Sequence, residues 1–225
     1  MKILICGYPR SGTSLFYNML YTTVQGYHFE AVEKSGQHND WKENEVRKFP
    51  LDILHYDKIK QKFPDIKVLV CIRDPRDLLC SKHWHFPDKF KISWNEAIHS
   101  RQKDGSMKMM NIGLLDVYKA IDNARNDKMF LIRFEDLINI PDLLQIQFNH
   151  IFNYIGDFKD FHQKQLPVGM IQQLNGVRPL DKSRIGTWKQ YPERIKQQFT
   201  ECPALFDILM DYGYETDREW FEGLS

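Results

Sequence analysis

Apolar residues in this chain fall in short unbroken runs separated by longer amphipathic stretches. Ile3 to Cys6 is an apolar run that stops at Gly7. Lys67 leads into Val68, Leu69, Val70, Cys71 and Ile72 without a polar break, and Met129 to Ile132 repeats the pattern. Runs of this length suit strands buried on both faces of a parallel sheet. Leu51 to His55 and Tyr27 to Ala31 are weaker strand patterns. Ser14 to Tyr21 instead places Leu15, Phe16, Met19 and Leu20 on one side of a helix. Ser93-Trp94-Asn95-Glu96 has capping-box spacing and predicts a helix start. Ile112 to Ala124 and Leu143 to Ile155 are amphipathic, with Gly156 as the expected stop of the second. Pro203 to Tyr212 before Gly213 has the same grammar. Strands alternating with helices predict an α/β fold with a mainly parallel central sheet flanked by helices. No repeat or linker interrupts the chain, so residues 1–225 are expected to form a single domain.

Chemistry first appears where the first strand ends. Gly7-Tyr8-Pro9-Arg10-Ser11-Gly12-Thr13-Ser14 joins that strand to the first helix. A strand, a glycine-containing loop and a helix together aim several backbone N–H groups at one point, and the helix dipole adds positive potential there. Gly7 and Gly12 have the spacing of a P-loop, which gives the expected fold a P-loop NTPase-like character. The residue after the second glycine is Thr13 rather than lysine, so the group that would reach the β- and γ-phosphates of a nucleoside triphosphate is missing. Arg10 supplies a cation earlier in the loop. A tight turn needs the glycines, but it does not need Arg10, Ser11, Thr13 and Ser14 around them.

A second candidate anion site follows the strand Lys67–Ile72, in Arg73-Asp74-Pro75-Arg76-Asp77. Ligands of open parallel sheets sit beyond the carboxyl ends of the strands. Arg73 is the first residue past such an end, and its forked guanidinium suits a phosphate. Ser81, eight residues on, would lie on the next helix and share the anion. The competing reading pairs Arg73 with Asp74 or Asp77.

Composition narrows the partners. The 225 residues carry a formal net charge of +1, so no global field calls for nucleic acid or an anionic membrane. No apolar run approaches transmembrane length, and Met1 to Cys6 is too short for a signal sequence. The expected setting is the cytoplasm. Cys6, Cys71, Cys80 and Cys202 form no C-x-x-C pair, which argues against zinc. His83 and His85 flank Trp84 but have no evident third ligand. Trp84, His85, Phe86, Phe90 and Trp94 either line an acceptor pocket or pack in the core.

The two anion motifs together resemble the sulfotransferase family. Tyr8-Pro9-Arg10-Ser11-Gly12-Thr13-Ser14 is similar to its 5′-phosphosulfate loop, and Arg73 with Ser81 is similar to its 3′-phosphate motif. Arg133-Phe134-Glu135-Asp136-Leu137, Ile185-Gly186-Thr187-Trp188-Lys189 and Asp211-Tyr212-Gly213-Tyr214 look like later family segments. The resemblance implies transfer of a sulfuryl group from 3′-phosphoadenosine 5′-phosphosulfate (PAPS) to a small-molecule or glycan acceptor, without a metal. It also implies that Arg10, Ser11, Gly12, Thr13 and Ser14 bind the phosphosulfate, with Arg10 neutralising the leaving phosphate. Family members often carry lysine where Arg10 stands. A late basic stretch is reduced here to Lys182, with Arg178 or Arg184 as possible substitutes.

Transfer also requires a base for the acceptor proton. By resemblance the base is a histidine just after a strand, which His55 matches in position, although the family's lysine two residues earlier is Ile53. Other branches of the family use a glutamate nearer the first helix, for which Glu30 or Glu33 stands. Two further readings keep the fold and change the function: a P-loop small-molecule kinase, and a module that binds adenosine bisphosphate without turnover. Neither the acceptor nor the oligomeric state is legible in the sequence.

Overall fold

The computed structural model describes residues 1–30, 32–82, 90, 113–127, 129–139, 141–156, 170–173 and 176–224. In chain order the first elements are β1 (Lys2–Gly7), α1 (Thr13–Thr23), β2 (His28–Phe29), β3 (Glu45–Lys48), a 3-10 helix (Pro50–His55), α2 (Tyr56–Lys62) and β4 (Lys67–Ile72). They are followed by α3 (Pro75–Leu79), α4 (Leu114–Ala124), β5 (Met129–Arg133), α5 (Phe134–Asn139), α6 (Pro141–Ile155), β6 (Met170–Gln173) and β7 (Gly176–Pro179). Two 3-10 turns, Lys182–Arg184 and Thr187–Gln190, lead into α7 (Pro192–Glu201), α8 (Ala204–Asp211) and α9 (Glu219–Glu222).

The chain divides into two compact units. One is formed by Met1–Ile72 with Ala120–Lys182, the other by Arg73–Lys119 with Ser183–Ser225. The first unit holds a five-stranded parallel sheet in the order β2-β3-β1-β4-β5. Its centre is the pair of fully apolar runs, with Ile3 to Cys6 and Val68 to Cys71 all at most 1% exposed. Phe16 of α1 and Phe148 of α6 meet at 5.9 Å between ring centroids. Burial of such rings is the main stabilising contribution, at about 25 cal/mol per Å² of apolar surface. The chain leaves β1 toward β2 and β3 on one side and returns to β4 on the other, so the carboxyl ends of β1 and β4 flank a topological switch point. In that pair Gly7 lies opposite Cys71.

In the second unit, Phe199 of α7 packs on Phe206 of α8 at 4.9 Å, and Trp220 of α9 packs on Phe199 at 5.2 Å. Arg76 is only 3% exposed. Its guanidinium lies 4.2 Å from the Trp188 ring and 4.5 Å from the Trp220 ring while pairing with Asp74 and Glu215. Burial works against its charge, but the two carboxylates more than compensate and raise its pKa.

Three sequence expectations need correction. Leu51 to His55 is not a strand: Pro50 starts a 3-10 helix through His55, where its fixed φ and missing N–H suit a first turn. The Tyr27–Ala31 strand reduces to His28–Phe29. Ser81 is not on a helix, since α3 ends at Leu79 and the Ser81 N–H caps it by donating to the Leu78 carbonyl. The expected helix start at Ser93 lies outside the described residues.

Candidate active site

Between β1 and α1 the chain takes a course that few sequences tolerate. Gly7 has φ 141°, and a Cβ there would stand 2.2 Å from the Cys71 carbonyl oxygen. Gly12 has φ 97°, and a Cβ there would stand 2.6 Å from Phe134 Cδ2. Phe134 belongs to the Arg133–Leu137 segment, whose place in the site is thus to close over the loop. Arg10, with a side chain, is held at φ 79°. A left-handed residue other than glycine costs on the order of 1–3 kcal/mol and persists where the surrounding structure holds it, most often at functional sites.

The Ser11 N–H closes the turn onto the Tyr8 carbonyl at 3.0 Å. Gly12 opens α1 without a side-chain cap, and its carbonyl accepts from the Phe16 N–H at 2.9 Å. The N–H groups of the helix's first turn therefore face outward past its start. Ser11 is fully buried, and its Oγ has no hydrogen-bond partner among the described residues. A buried hydroxyl left unsatisfied costs about 1–3 kcal/mol. Uncapped first-turn amides, a left-handed cationic residue and an orphaned hydroxyl on one loop make a cradle with the chemistry to take an anionic group.

The loop has a neighbour that the sequence did not reveal. Lys48 ends β3, the strand next to β1, and its Nζ donates to Ser14 Oγ at 2.8 Å. The same ammonium pairs with Glu33 at 3.0 Å, and the Lys34 N–H donates to the Lys48 carbonyl at 3.1 Å. Glu33 is thus tied to the phosphate loop through a single lysine. Glu30 is tied elsewhere, pairing with Lys34, His28 and Lys42 at 3.3–3.5 Å. Its partial burial opposes ionisation, but bonds from Lys34 and His28 and the charges of Lys34 and Lys42 hold its carboxyl below the ordinary range.

In the second unit, Arg73 follows β4 directly and is 5% exposed. Its Nη2 donates to the Arg184 carbonyl, and its own carbonyl accepts from the Tyr118 hydroxyl at 2.6 Å. Asp77 lies 3.9 Å from the guanidinium, a long ion pair of the kind the competing reading requires. The principal bonds to Asp77 come from backbone instead, from the N–H of Gly186 at 2.8 Å and of Trp188 at 3.1 Å. Burial pushes the Asp77 pKa up, and Arg73 and those two N–H groups offset it only in part. The Ile185–Lys189 segment is therefore fastened to α3 by a buried carboxylate. Of the late basic residues, Arg184 reaches Arg73 through its carbonyl. Lys182 begins the same 3-10 turn and is exposed.

His55 is half-buried at the end of its 3-10 helix rather than at a strand's carboxyl end, so the positional argument for it as base fails. Residues 83–89 and Trp94 lie outside the described residues. Phe90 meets Tyr191 edge-on at 5.1 Å. Among the described residues no cluster of His, Cys, Asp and Glu is arranged to hold a metal, and no helix is long and apolar enough to cross a membrane.

The family profile described as "Sulfotransferase family" matches residues 21–147, more than half of the chain. This chain belongs to the sulfotransferase family. The match begins at Tyr21, so the Tyr8–Ser14 loop lies outside it. No curated protein matches the chain.

Proposed function

We propose that this sulfotransferase takes its sulfuryl group from PAPS and delivers it to a hydroxyl or amine of a small-molecule or glycan acceptor. The observation that carries the reading is the Gly7–Ser14 loop, with left-handed Arg10, uncapped first-turn amides and the orphaned Ser11 hydroxyl, in a loop that lacks the lysine of a nucleotide kinase. The donor, when bound, supplies an activated sulfuryl group on a phosphate leaving group. The N–H groups of Gly12, Thr13 and Ser14 hold that phosphate, and Arg10 offsets the charge developing on it. Lys48, bonded to Ser14, adds a second cation at the same loop. Arg73 and Ser81, with Arg184 or Lys182, hold the 3′-phosphate.

Glu33 is the base in this reading, in preference to His55 and Glu30. Its support is the contact with Lys48, which ties its carboxylate to the loop where the proton must be removed. The test is transfer of radiolabelled sulfuryl from PAPS to a panel of phenolic and saccharide acceptors. Transfer by the wild type and its loss in Arg10→Ala support the reading. Equal transfer by both proteins refutes the role of the loop.

A further inference from the structure

Two charged residues buried beside the strap that joins β2 to β3 have no part in the chemistry above. Arg47, in the middle of β3, is 0% exposed. Its Nε donates to Glu45 Oε1 at 2.7 Å, its Nη2 pairs with Asp40 at 3.0 Å, and its Nη1 donates to the Ser35 carbonyl at 3.2 Å. Its guanidinium also lies 4.0 Å from the Trp41 ring. Asp52, in the 3-10 helix, is likewise 0% exposed. It accepts from Ser35 Oγ at 2.7 Å and from the Gly36 N–H.

Ser35 and Gly36 are therefore held from both sides. At Gly36 the strap comes so close to the sheet that a Cβ would stand 3.0 Å from Leu4 Cδ2. Lys34 adds a further tie to Asp40 at 2.9 Å. A sheet stabilised only by packing has no need for these groups, because desolvating a charge is costly and apolar residues of similar size commonly serve as well. The ties to Asp52 and Arg47 at Ser35 and Gly36 grip the strap close after Glu33, and Glu33 pairs with Lys48.

We infer that Asp52 and Arg47 are positioning residues: they fasten residues 34–40 to the sheet so that the Glu33 carboxylate is held on Lys48, facing the phosphate loop. The inference rests on Glu33 being the base. It adds that the base is held in place by buried charges of β3 and the 3-10 helix. A carboxylate on a strap without such ties would sample many positions, and misplacement of a reacting group by a fraction of its reach costs rate without affecting donor binding.

The experiment is a double-mutant cycle between Asp52→Asn and Glu33→Gln, read as release of adenosine 3′,5′-bisphosphate from PAPS with a phenolic acceptor. Asp52→Asn replaces the carboxylate with a neutral amide facing the Gly36 N–H and loosens the strap. Asp52→Asn is expected to cut turnover by about tenfold to a hundredfold in the wild-type background. In the Glu33→Gln background it is expected to change turnover by less than about twofold, because both changes then act on one group. Affinity for adenosine 3′,5′-bisphosphate stays unchanged, and amide exchange over residues 32–38 rises by about tenfold. The same loss in both backgrounds, or no loss in the wild type, overturns the positioning role. Glu33→Gln with full turnover instead overturns the choice of base, which is a separate outcome. If Asp52→Asn does not fold, Ser35→Ala removes one of the two bonds to Asp52 and is put through the same cycle with the same criteria.

Discussion

Lys48 Nζ stands 2.8 Å from Ser14 Oγ, joining the end of β3 to the start of α1 across the mouth of the phosphate loop. With PAPS as the proposed donor, a cation there would stabilise charge developing on the leaving phosphate, a contribution larger in the transition state than in the ground state. Lys48→Met is expected to lower turnover by about a hundredfold to a thousandfold, the scale for losing one such group. Weakening of bisphosphate binding should be much smaller. Initial rates and calorimetry on the same preparation separate the two effects, and equal losses in both would make Lys48 an ordinary binding residue.

Gly12→Ala is expected to damage the fold and the site together. The new methyl meets Phe134 Cδ2 at 2.6 Å, at a φ of 97° that a side chain disfavours. A stability loss of about 1–3 kcal/mol should appear in denaturant unfolding, from backbone strain and the displaced ring. Gly26 has φ 77° with nothing within 4 Å of its would-be Cβ, so Gly26→Ala is the control with strain but no clash. A similar loss at both positions would mean that Phe134 does not press on the loop.

Arg73→Ala is expected to weaken binding of adenosine 3′,5′-bisphosphate by about 1.5–3 kcal/mol, the range for a hydrogen bond to a charged group. Ser81→Ala should act in the same direction and more mildly. Binding of adenosine 5′-phosphosulfate, which has no 3′-phosphate, should not change in either variant. Titration calorimetry with the two ligands reads this directly. Equal weakening for both ligands would move Arg73 away from the 3′-phosphate.

The parts of the structure that the sequence revealed are those where apolar pattern and element type agree. β1, β4 and β5 are continuous apolar runs, and α6 and α8 stop at Gly156 and Gly213, both with positive φ. The course of the β1–α1 loop was legible because glycine spacing and polar residues occur together there, and Gly7 and Gly12 do take positive φ. β3 was hidden. Three of the four residues of Glu45-Val46-Arg47-Lys48 are charged and give no apolar run, yet Glu45 and Arg47 are both 0% exposed because each neutralises the other. With that strand went Lys48, and with Lys48 the link from Glu33 to the loop. Leu51 to His55 misled for the opposite reason: its apolar residues serve a 3-10 helix packed on the sheet, and the pattern of so short a run does not separate the two. The hairpin of β6 and β7 also gave no signal, since its strands are only four residues long, one ending in two glutamines and the other running from Gly176 to Pro179.

The strap's acid behaviour follows from Asp40. A hydrogen bond from Lys34, then one from Arg47 together with both charges, outweighs its partial desolvation and pulls its pKa down to about 2. A carboxyl whose folded pKa lies below its unfolded value of about 3.9 contributes stability above that value, and the contribution is lost as the pH falls through the folded pKa. Wild-type melting temperature should therefore drop between pH 4 and pH 2 by more than that of Asp40→Asn, which has no such proton to take up. Parallel curves would show that Asp40 does not tie the strap in solution.

The donor assignment is tested most directly by calorimetric titration of the wild-type protein with adenosine 3′,5′-bisphosphate and, separately, with ATP, each with and without magnesium. A loop with Thr13 in place of the nucleotide-kinase lysine, followed in the chain by an arginine suited to a 3′-phosphate, should bind the bisphosphate more tightly than ATP. That binding should not depend on the metal. Magnesium-dependent binding of ATP with no measurable affinity for the bisphosphate would contradict PAPS as the donor.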